Sequence, residues 1–310
     1  MIVTVTLNPS LDKTLRVERL RRGELNRVEV ERLDWGGKGF NVSRALLALG
    51  VPSIAIGVMA GGVGRALADG LAGLGLELDL IWVSGETRSN ITLHETGDDV
   101  YTKINEPGPT LRAEDVDAIV DRVEQRARPG DIWVFSGSLP PGAPADLYAR
   151  LIAVVQEAGA RAVLDTSGPA LAAGVAARPA LVKPNLEEMA SLTARPLSGL
   201  KDQVDALREL LGRGVGNVAL TMGADGALIA AEGLVVRAFL PTPVRGSPIG
   251  AGDAFVAGWV HAWGNGWDLE ERARWAVACG AAAAAHEGTG VGTREEVLAL
   301  RDAVVLEPVA

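Results

Sequence analysis

The sequence predicts a doubly wound α/β fold, in which helices cover both faces of a mainly parallel sheet. Short apolar runs of strand length alternate with longer stretches whose apolar residues recur near every 3.6 positions. Most of the short runs are apolar throughout, as strands buried on both faces are. A third observation bounds the answer. The chain has 310 residues, 48% of them hydrophobic, and no repeat or low-complexity linker divides it. That is enough for a large core, and a single α/β domain over 1–310 is expected.

The first strand is expected at 2–7, where Met1-Ile2-Val3-Thr4-Val5-Thr6-Leu7 has neither a basic leader nor a small-residue cleavage site. Further buried strands are expected at 53–58, 78–82, 132–135, 162–165, 180–183 and 218–221. Helices with one polar face are expected between them at 39–49, 64–74, 113–126, 145–158 and 200–212. The last third turns helical, at 254–263, 269–286 and 294–300. Two segments break the rhythm, 14–34 and 88–105. Arg27-Val28-Glu29-Val30-Glu31-Arg32-Leu33 and Asn90-Ile91-Thr92-Leu93-His94-Glu95 alternate, as half-exposed antiparallel strands do. They predict a small sheet over one end of the main one. Its edges and apolar face need cover, and a second copy of the chain supplies it most simply.

Composition excludes several functions. Only 4% of residues are aromatic, so the core is Ala, Val and Leu. No apolar run reaches the ~20 residues of a membrane span. A net charge of −9 disfavours nucleic acid and anionic membranes as partners. The sole cysteine, Cys279, has no internal disulfide partner and reads as a small core residue of a cytoplasmic protein. His94, His261 and His286 lack the spacing of zinc ligands.

Chemistry concentrates in loops that follow strands. Gly250-Ala251-Gly252-Asp253 precedes the apolar helix, so bare N–H groups lie at a helix N-terminus that favours an anion. Asp253 either caps that helix or takes a proton from a hydroxyl attacking a transferred phosphoryl group. Trp35-Gly36-Gly37-Lys38-Gly39-Phe40-Asn41 lets backbone approach a ligand, with Asn41 as donor and acceptor for a polyol, but lacks the P-loop pattern. Asp12 stands where ligands bind open α/β sheets, or makes an Asx-turn. Ser136-Gly137-Ser138-Leu139-Pro140-Pro141-Gly142 leaves room for a ligand. Lys183-Pro184-Asn185-Leu186-Glu187-Glu188 carries either a capping box or a carboxylate, Glu188, that meets Mg²⁺ through water. Thr221-Met222-Gly223-Ala224-Asp225-Gly226 is a phosphate cradle or a hairpin turn. Gly62-Val63-Gly64-Arg65-Ala66-Leu67 departs from the dinucleotide fingerprint at its third glycine.

Taken in order, these motifs resemble the PfkB family of sugar kinases, with the ribokinase-like fold, over essentially the whole chain. The phosphosugar branch is the most similar, through Leu7-Asn8-Pro9-Ser10-Leu11-Asp12, Gly36-Gly37-Lys38-Gly39-Phe40-Asn41-Val42-Ser43-Arg44 and Ser136-Gly137-Ser138-Leu139-Pro140-Pro141-Gly142. The resemblance implies a three-layer α/β/α fold with a β lid that also makes a homodimer. It implies ATP and Mg²⁺, and a phosphorylated ketohexose as substrate: fructose 1-phosphate, with tagatose 6-phosphate or fructose 6-phosphate as alternatives. In that reading Asp253 is the base, and Gly250, Ala251 and Gly252 form the anion hole. Asp12, Gly37 and Asn41 hold sugar hydroxyls. Lys38 and Arg88 hold the substrate's phosphate, with Arg27 and Ser138. Lys183, Asn185, Thr221, Gly223 and Gly226 line the nucleotide site, and Glu188 helps to place Mg²⁺. Trp35, Ser247-Pro248-Ile249 and Lys103 depart from the family's usual residues. A non-catalytic sensor and a dinucleotide oxidoreductase are the competing classes.

Overall fold

The computed structural model describes residues 1–309 apart from 232, 245 and 248, so Pro248 lies outside the described residues. In chain order the elements of the first half are β1 (Ile2–Thr6), β2 (Ser10–Val17), β3 (Glu29–Gly36), α1 (Lys38–Ala48), β4 (Ile54–Ala60), α2 (Gly61–Gly73), β5 (Glu77–Val83), β6 (Arg88–Glu95), β7 (Val100–Asn105), α3 (Ala113–Arg126), β8 (Ile132–Ser136) and α4 (Leu147–Glu157). The second half continues with β9 (Arg161–Asp165), α5 (Gly168–Ala176), β10 (Leu181–Val182), α6 (Leu186–Thr193), α7 (Leu200–Gly212), β11 (Asn217–Thr221), β12 (Ala227–Ala231), β13 (Leu234–Phe239), α8 (Ala251–Gly264), α9 (Leu269–Ala284), α10 (Arg294–Arg301) and β14 (Val305–Pro308).

Ten strands form the main sheet in the order β14-β13-β12-β11-β10-β9-β8-β1-β4-β5. The seven from β11 to β5 run parallel. The three at the β14 edge are antiparallel. Successive residues of a parallel strand serve opposite cores. Trp133 and Phe135 pack with α3, α4, α5, α6 and α7, whereas Ile132 and Val134 pack with α1, α8, α9 and α10. Both sets are buried, which is why these strands read as apolar without alternation. Cys279 is buried in the α8–α9 layer, as expected. Among the described residues no helix is long and apolar enough to cross a membrane.

The four-stranded sheet has the order β3-β2-β6-β7. Its strands begin earlier than the sequence suggests, at Ser10, so Asp12 belongs to a strand and not to a turn. A second correction concerns direction. The outer pairs are antiparallel, but the central pair β2–β6 is parallel. The cause is connectivity: β2 follows β1 and β6 follows β5, and both leave the same C-terminal edge of the main sheet. Register gives this small sheet two unlike faces. Ser10 and Arg88 stand opposite each other, as do Asp12, Asp34, Asn90 and Asn105, and Thr14, Thr92 and Lys103. This face is polar. The opposite face presents Leu33, Lys13, Ile91 and Ile104, then Val30, Leu15, Leu93 and Thr102, and is mostly apolar. Val30 is 62% exposed and Ile104 55%.

Candidate active site

The C-terminal ends of β9, β10 and β11 open on a cavity of about 620 Å³. The N-termini of α1, α6 and α8 close on it, so three helix ends converge there, two of them partly capped, α1 by Thr6 Oγ1 on Phe40 N and α6 by Asn185 Oδ1 on Glu188 N. Lys38, Lys183, Asn185, Glu188, Thr221, Gly223, Gly226, Gly250, Ala251, Gly252 and Asp253 all line it. All but Lys38 are the residues expected at the nucleotide, metal and anion sites; Lys38, expected beside Arg88 on the substrate's phosphate, instead lines the cavity and pairs with Asp165, whereas Arg88 does not line it. Leu240, Val244, Phe255, Val277 and Ala281 give it an apolar wall suited to a flat ring. That wall includes the Ala-rich stretch before His286.

Asp253 does not cap α8. The N-cap is Gly250, in the left-handed region at φ 77°, with no side chain bonding into the helix. Asp253 is the third residue of the helix, and its Oδ2 accepts a hydrogen bond from Asn41 Nδ2 at 2.8 Å. Among the described residues no acceptor meets the first-turn N–H groups of Ala251, Gly252 and Asp253, which suits them to an anion. Only 6% of Asp253 is exposed. Burial, and after it the charge of Asp165, raises its carboxyl to about 6 against the pull of Lys38, Asn41 and Lys183.

Asp165 is the residue that the sequence did not disclose. It ends β9 fully buried, and its Oδ1 lies 3.1 Å from Lys38 Nζ and 3.3 Å from Lys183 Nζ. Burial raises its carboxyl, but the two lysines outweigh burial and hold it below the usual range. Asp165 in turn raises the Lys38 ammonium, so Lys38 stays charged. Asp165 Oδ2 is buried with no hydrogen-bond partner. A strand ending in a single Asp carries no motif. Its partners come from 127 residues before it and 18 after it, a proximity that sequence spacing does not encode.

Glu188 makes the capping box that its spacing from Asn185 allows. Its Oε2 accepts from Asn185 N at 2.9 Å and its N–H donates to Asn185 Oδ1 at 2.8 Å, which is a capping box. The same side chain borders the cavity. The loop 222–226 is likewise both hairpin and cavity wall, since β11 and β12 pair antiparallel through it.

The remaining predicted residues lie outside the cavity. Asp12 Oδ1 accepts from Ser10 Oγ at 2.7 Å and from Asn90 Nδ2 at 2.8 Å. Burial raises its carboxyl against those two bonds. A Cβ at Gly36 would stand 2.4 Å from Asp12 Oδ2, so only glycine leaves that carboxylate its place. Gly37 caps α1, and Asn41, one turn on, is buried. Arg88 opens β6 on the polar lid face, and its Nε is buried without a partner. Burial lowers its guanidinium, with Asp12 opposing. Ser138 is exposed and accepts from Asn8 Nδ2 at 3.3 Å. Arg27 is exposed in the loop between β2 and β3 and does not line the cavity. At the dinucleotide-like glycines, α2 starts at Gly61 and Glu86 accepts from Val63 N at 2.6 Å. A carboxylate already occupies the helix end that a pyrophosphate would need.

Residues 5–296 match the family described as pfkB family carbohydrate kinase, and the chain belongs to that family. It is 38% identical over 307 residues to the 1-phosphofructokinase of Rhodobacter capsulatus, covering 99% of this chain and 97% of that one. Its identity to the 1-phosphofructokinase of Bacillus subtilis is 37%, with 94% of each chain covered. The fold is similar to the crystal structure of phosphofructokinase-2 from Escherichia coli in complex with potassium. There the TM-score is 0.92 at 30% identity, over 97% of this chain and 98% of that one. The ribokinase-like fold and the family membership expected from the motifs are both borne out. The chain is a carbohydrate kinase, a phosphotransferase with an alcohol as acceptor.

Proposed function

We propose that this chain is an ATP- and Mg²⁺-dependent kinase that phosphorylates fructose 1-phosphate at its C6 hydroxyl to give fructose 1,6-bisphosphate. The observation that carries the reading is Asp253, a buried carboxylate beside the open N-terminus of α8. Its raised pKa, about 6, suits a base that works near neutral pH. Asp253 removes the hydroxyl proton as that oxygen bonds to the γ-phosphorus. The bond from phosphorus to the departing ADP oxygen breaks. The free N–H groups of the Gly250–Asp253 turn stabilise the equatorial oxygens, and Lys38 and Lys183 lie beside the path of the transferred group.

The sugar lies under the polar lid face. Asp12 accepts its hydroxyls and Gly37 leaves backbone room. Asn41 has a second amide hydrogen to offer. Arg88, with its unpartnered Nε, grips the phosphate that the substrate already carries. Lys103 on the same face, Arg27 and Ser138 add to that grip as the lid closes. The cavity holds ATP, with Lys183, Asn185, Thr221, Gly223 and Gly226 along it. Among the described residues no three His, Cys, Asp or Glu side chains gather into a metal cage. A hydrated Mg²⁺ fits such a site, since it needs one or two carboxylates and otherwise keeps its waters. Glu188 and the unpartnered Asp165 Oδ2 would hold it. When bound, it neutralises charge on the phosphates.

The whole chain acts as one kinase domain in the cytoplasm. Two copies pair through the apolar lid faces, whose exposed Val30, Leu33 and Ile104 are otherwise uncovered in one chain. An ADP-coupled assay with fructose 1-phosphate, fructose 6-phosphate and tagatose 6-phosphate tests the reading. The first should exceed the others in kcat/KM by at least ~10-fold, a modest discrimination for sites that bind polar groups. A preference for either of the others overturns the substrate, and ATP binding without ADP release overturns the activity.

A further inference from the structure

A polar chain runs from the lid to Asp253, and Arg44, Thr289 and Asp34 within it have no part in that scheme. Asn41 presents two unlike ends. Its Nδ2 donates to Asp253 Oδ2 at 2.8 Å. Its Oδ1 accepts from Arg44 Nη1 at 3.4 Å, one helical turn further along α1. The same Nη1 donates to Thr289 Oγ1 at 2.8 Å. That hydroxyl then has its own proton to give, and it faces Asp34 Oδ1 of β3 at 3.4 Å. Thr289 is 4% exposed, so the junction is shielded from water.

We propose that Arg44 and Thr289 are positioning residues: they fix the Asn41 carboxamide with its donor end on Asp253, and tie that orientation to lid strand β3 through Asp34. A carboxamide free to turn could present Oδ1 to the carboxylate, which repels it. A guanidinium on Oδ1 removes that alternative, because it has donors only. Lid and loop are in contact at further points. Arg32 of β3 donates to Asp34 Oδ2 at 2.6 Å and reaches Glu287 Oε2 at 3.5 Å. Gly288 lies against the same guanidinium, since a Cβ there would stand 2.6 Å from Arg32 Cζ. Thr289 also passes the anion-hole turn, with its Cα 3.7 Å from the Cβ position of Gly250. Movement of β3 is therefore transmitted to the loop, and through Arg44 to the group that holds the base.

The inference rests on Asp253 as base. The charged groups acting on Asp253 are Asp165 from β9, Lys38 from α1 and Lys183 after β10, and the Asn41 bond lowers its pKa alongside the lysines. Losing that bond should move the acid limb of the rate profile to higher pH. The test is kcat and kcat/KM against pH for wild type, Arg44→Met, Thr289→Val, Asn41→Ala and the double variant Asn41→Ala/Arg44→Met, with ATP affinity measured for each. Arg44→Met should lose ~10-fold in kcat with its acid limb raised, and Thr289→Val should follow in the same direction by less. In the Asn41→Ala background, Arg44→Met should cost under ~2-fold, because residues that act through one another are not additive. An unmoved limb in both Arg44→Met and Thr289→Val, or independent losses in the double variant, overturns the relay. If Arg44→Met fails to fold, Thr289→Val alone decides. Asp253→Asn run alongside separates the two readings. Normal turnover there sinks the base itself, whereas an inactive Asp253→Asn with an unmoved Arg44→Met limb sinks only the relay.

Discussion

The cavity at the ends of β9, β10 and β11 and the four-stranded lid are built on opposite terms. The cavity is lined by residues of one chain: Lys38 and Lys183 pair with Asp165, Asp253 is held by Asn41, and all stand at the ends of β9, β10, α1 and α8. The lid has its polar residues aligned by strand register, but its other face leaves Val30, Leu33, Val100 and Ile104 exposed. The contrast teaches where each half of the reaction obtains its precision. Phosphoryl transfer needs fixed charges in a shielded place, and buried ion pairs provide them despite a net charge of −9. In the proposed function sugar recognition needs entry and closure, and falls to the small sheet, whose apolar face is left open in one chain.

The largest expected effect falls on the cavity. Asp165→Asn leaves Lys38 and Lys183 facing each other without a counter-charge, and should cost about 3–5 kcal/mol of stability at pH 7, as broken buried pairs do. The sign with pH follows from the depressed carboxyl. Its contribution is present above the unfolded value and is lost as pH falls through the folded one. Thermal unfolding of wild type and variant should therefore converge in acid, and equal stability at pH 7 would break the picture of a preformed cavity. Next comes the lid. Arg88→Ala should raise KM for the phosphosugar by about 10–100-fold, the worth of a charged hydrogen bond, and KM for ATP by less than ~2-fold. Equal effects on both would erase the division between the two regions. The smallest effect is on assembly. Ile104→Asp should weaken self-association by about 1–2 kcal/mol, the scale of one buried aliphatic side chain, as read by light scattering across a dilution series. An unchanged dissociation constant would assign the apolar face to something other than a second copy.

Much of the fold was legible because buried parallel strands and amphipathic helices leave unlike periods. The helices at 113–126 and 200–212 match their expected bounds. The start of β2 was hidden, since Asp12 and Lys13 interrupt the alternation that marks a half-buried strand. The edge strands β13 and β14 were missed because they pair with a hairpin and with the chain's last residues, far apart in sequence. At the site, glycine-rich turns marked the loops that line the cavity. Asp165, Arg44 and Thr289 gave no such signal. Each works through a tertiary partner, and an arginine inside a helix or a threonine in a loop looks the same whether or not that partner exists.

One measurement bears most directly on the central claim, that Asp253 takes the proton. It is the turnover of Asp253→Asn with ATP affinity measured in parallel, set beside the pH profile of the wild type. In Asp253→Asn kcat should fall by at least ~10²–10⁴-fold, the range for a general base, with ATP affinity kept within about threefold. Wild-type kcat/KM for the sugar should decline as pH drops below about 6, where the carboxyl gains its proton. Near-normal turnover in Asp253→Asn, or a wild-type rate that stays flat through that range, would contradict it.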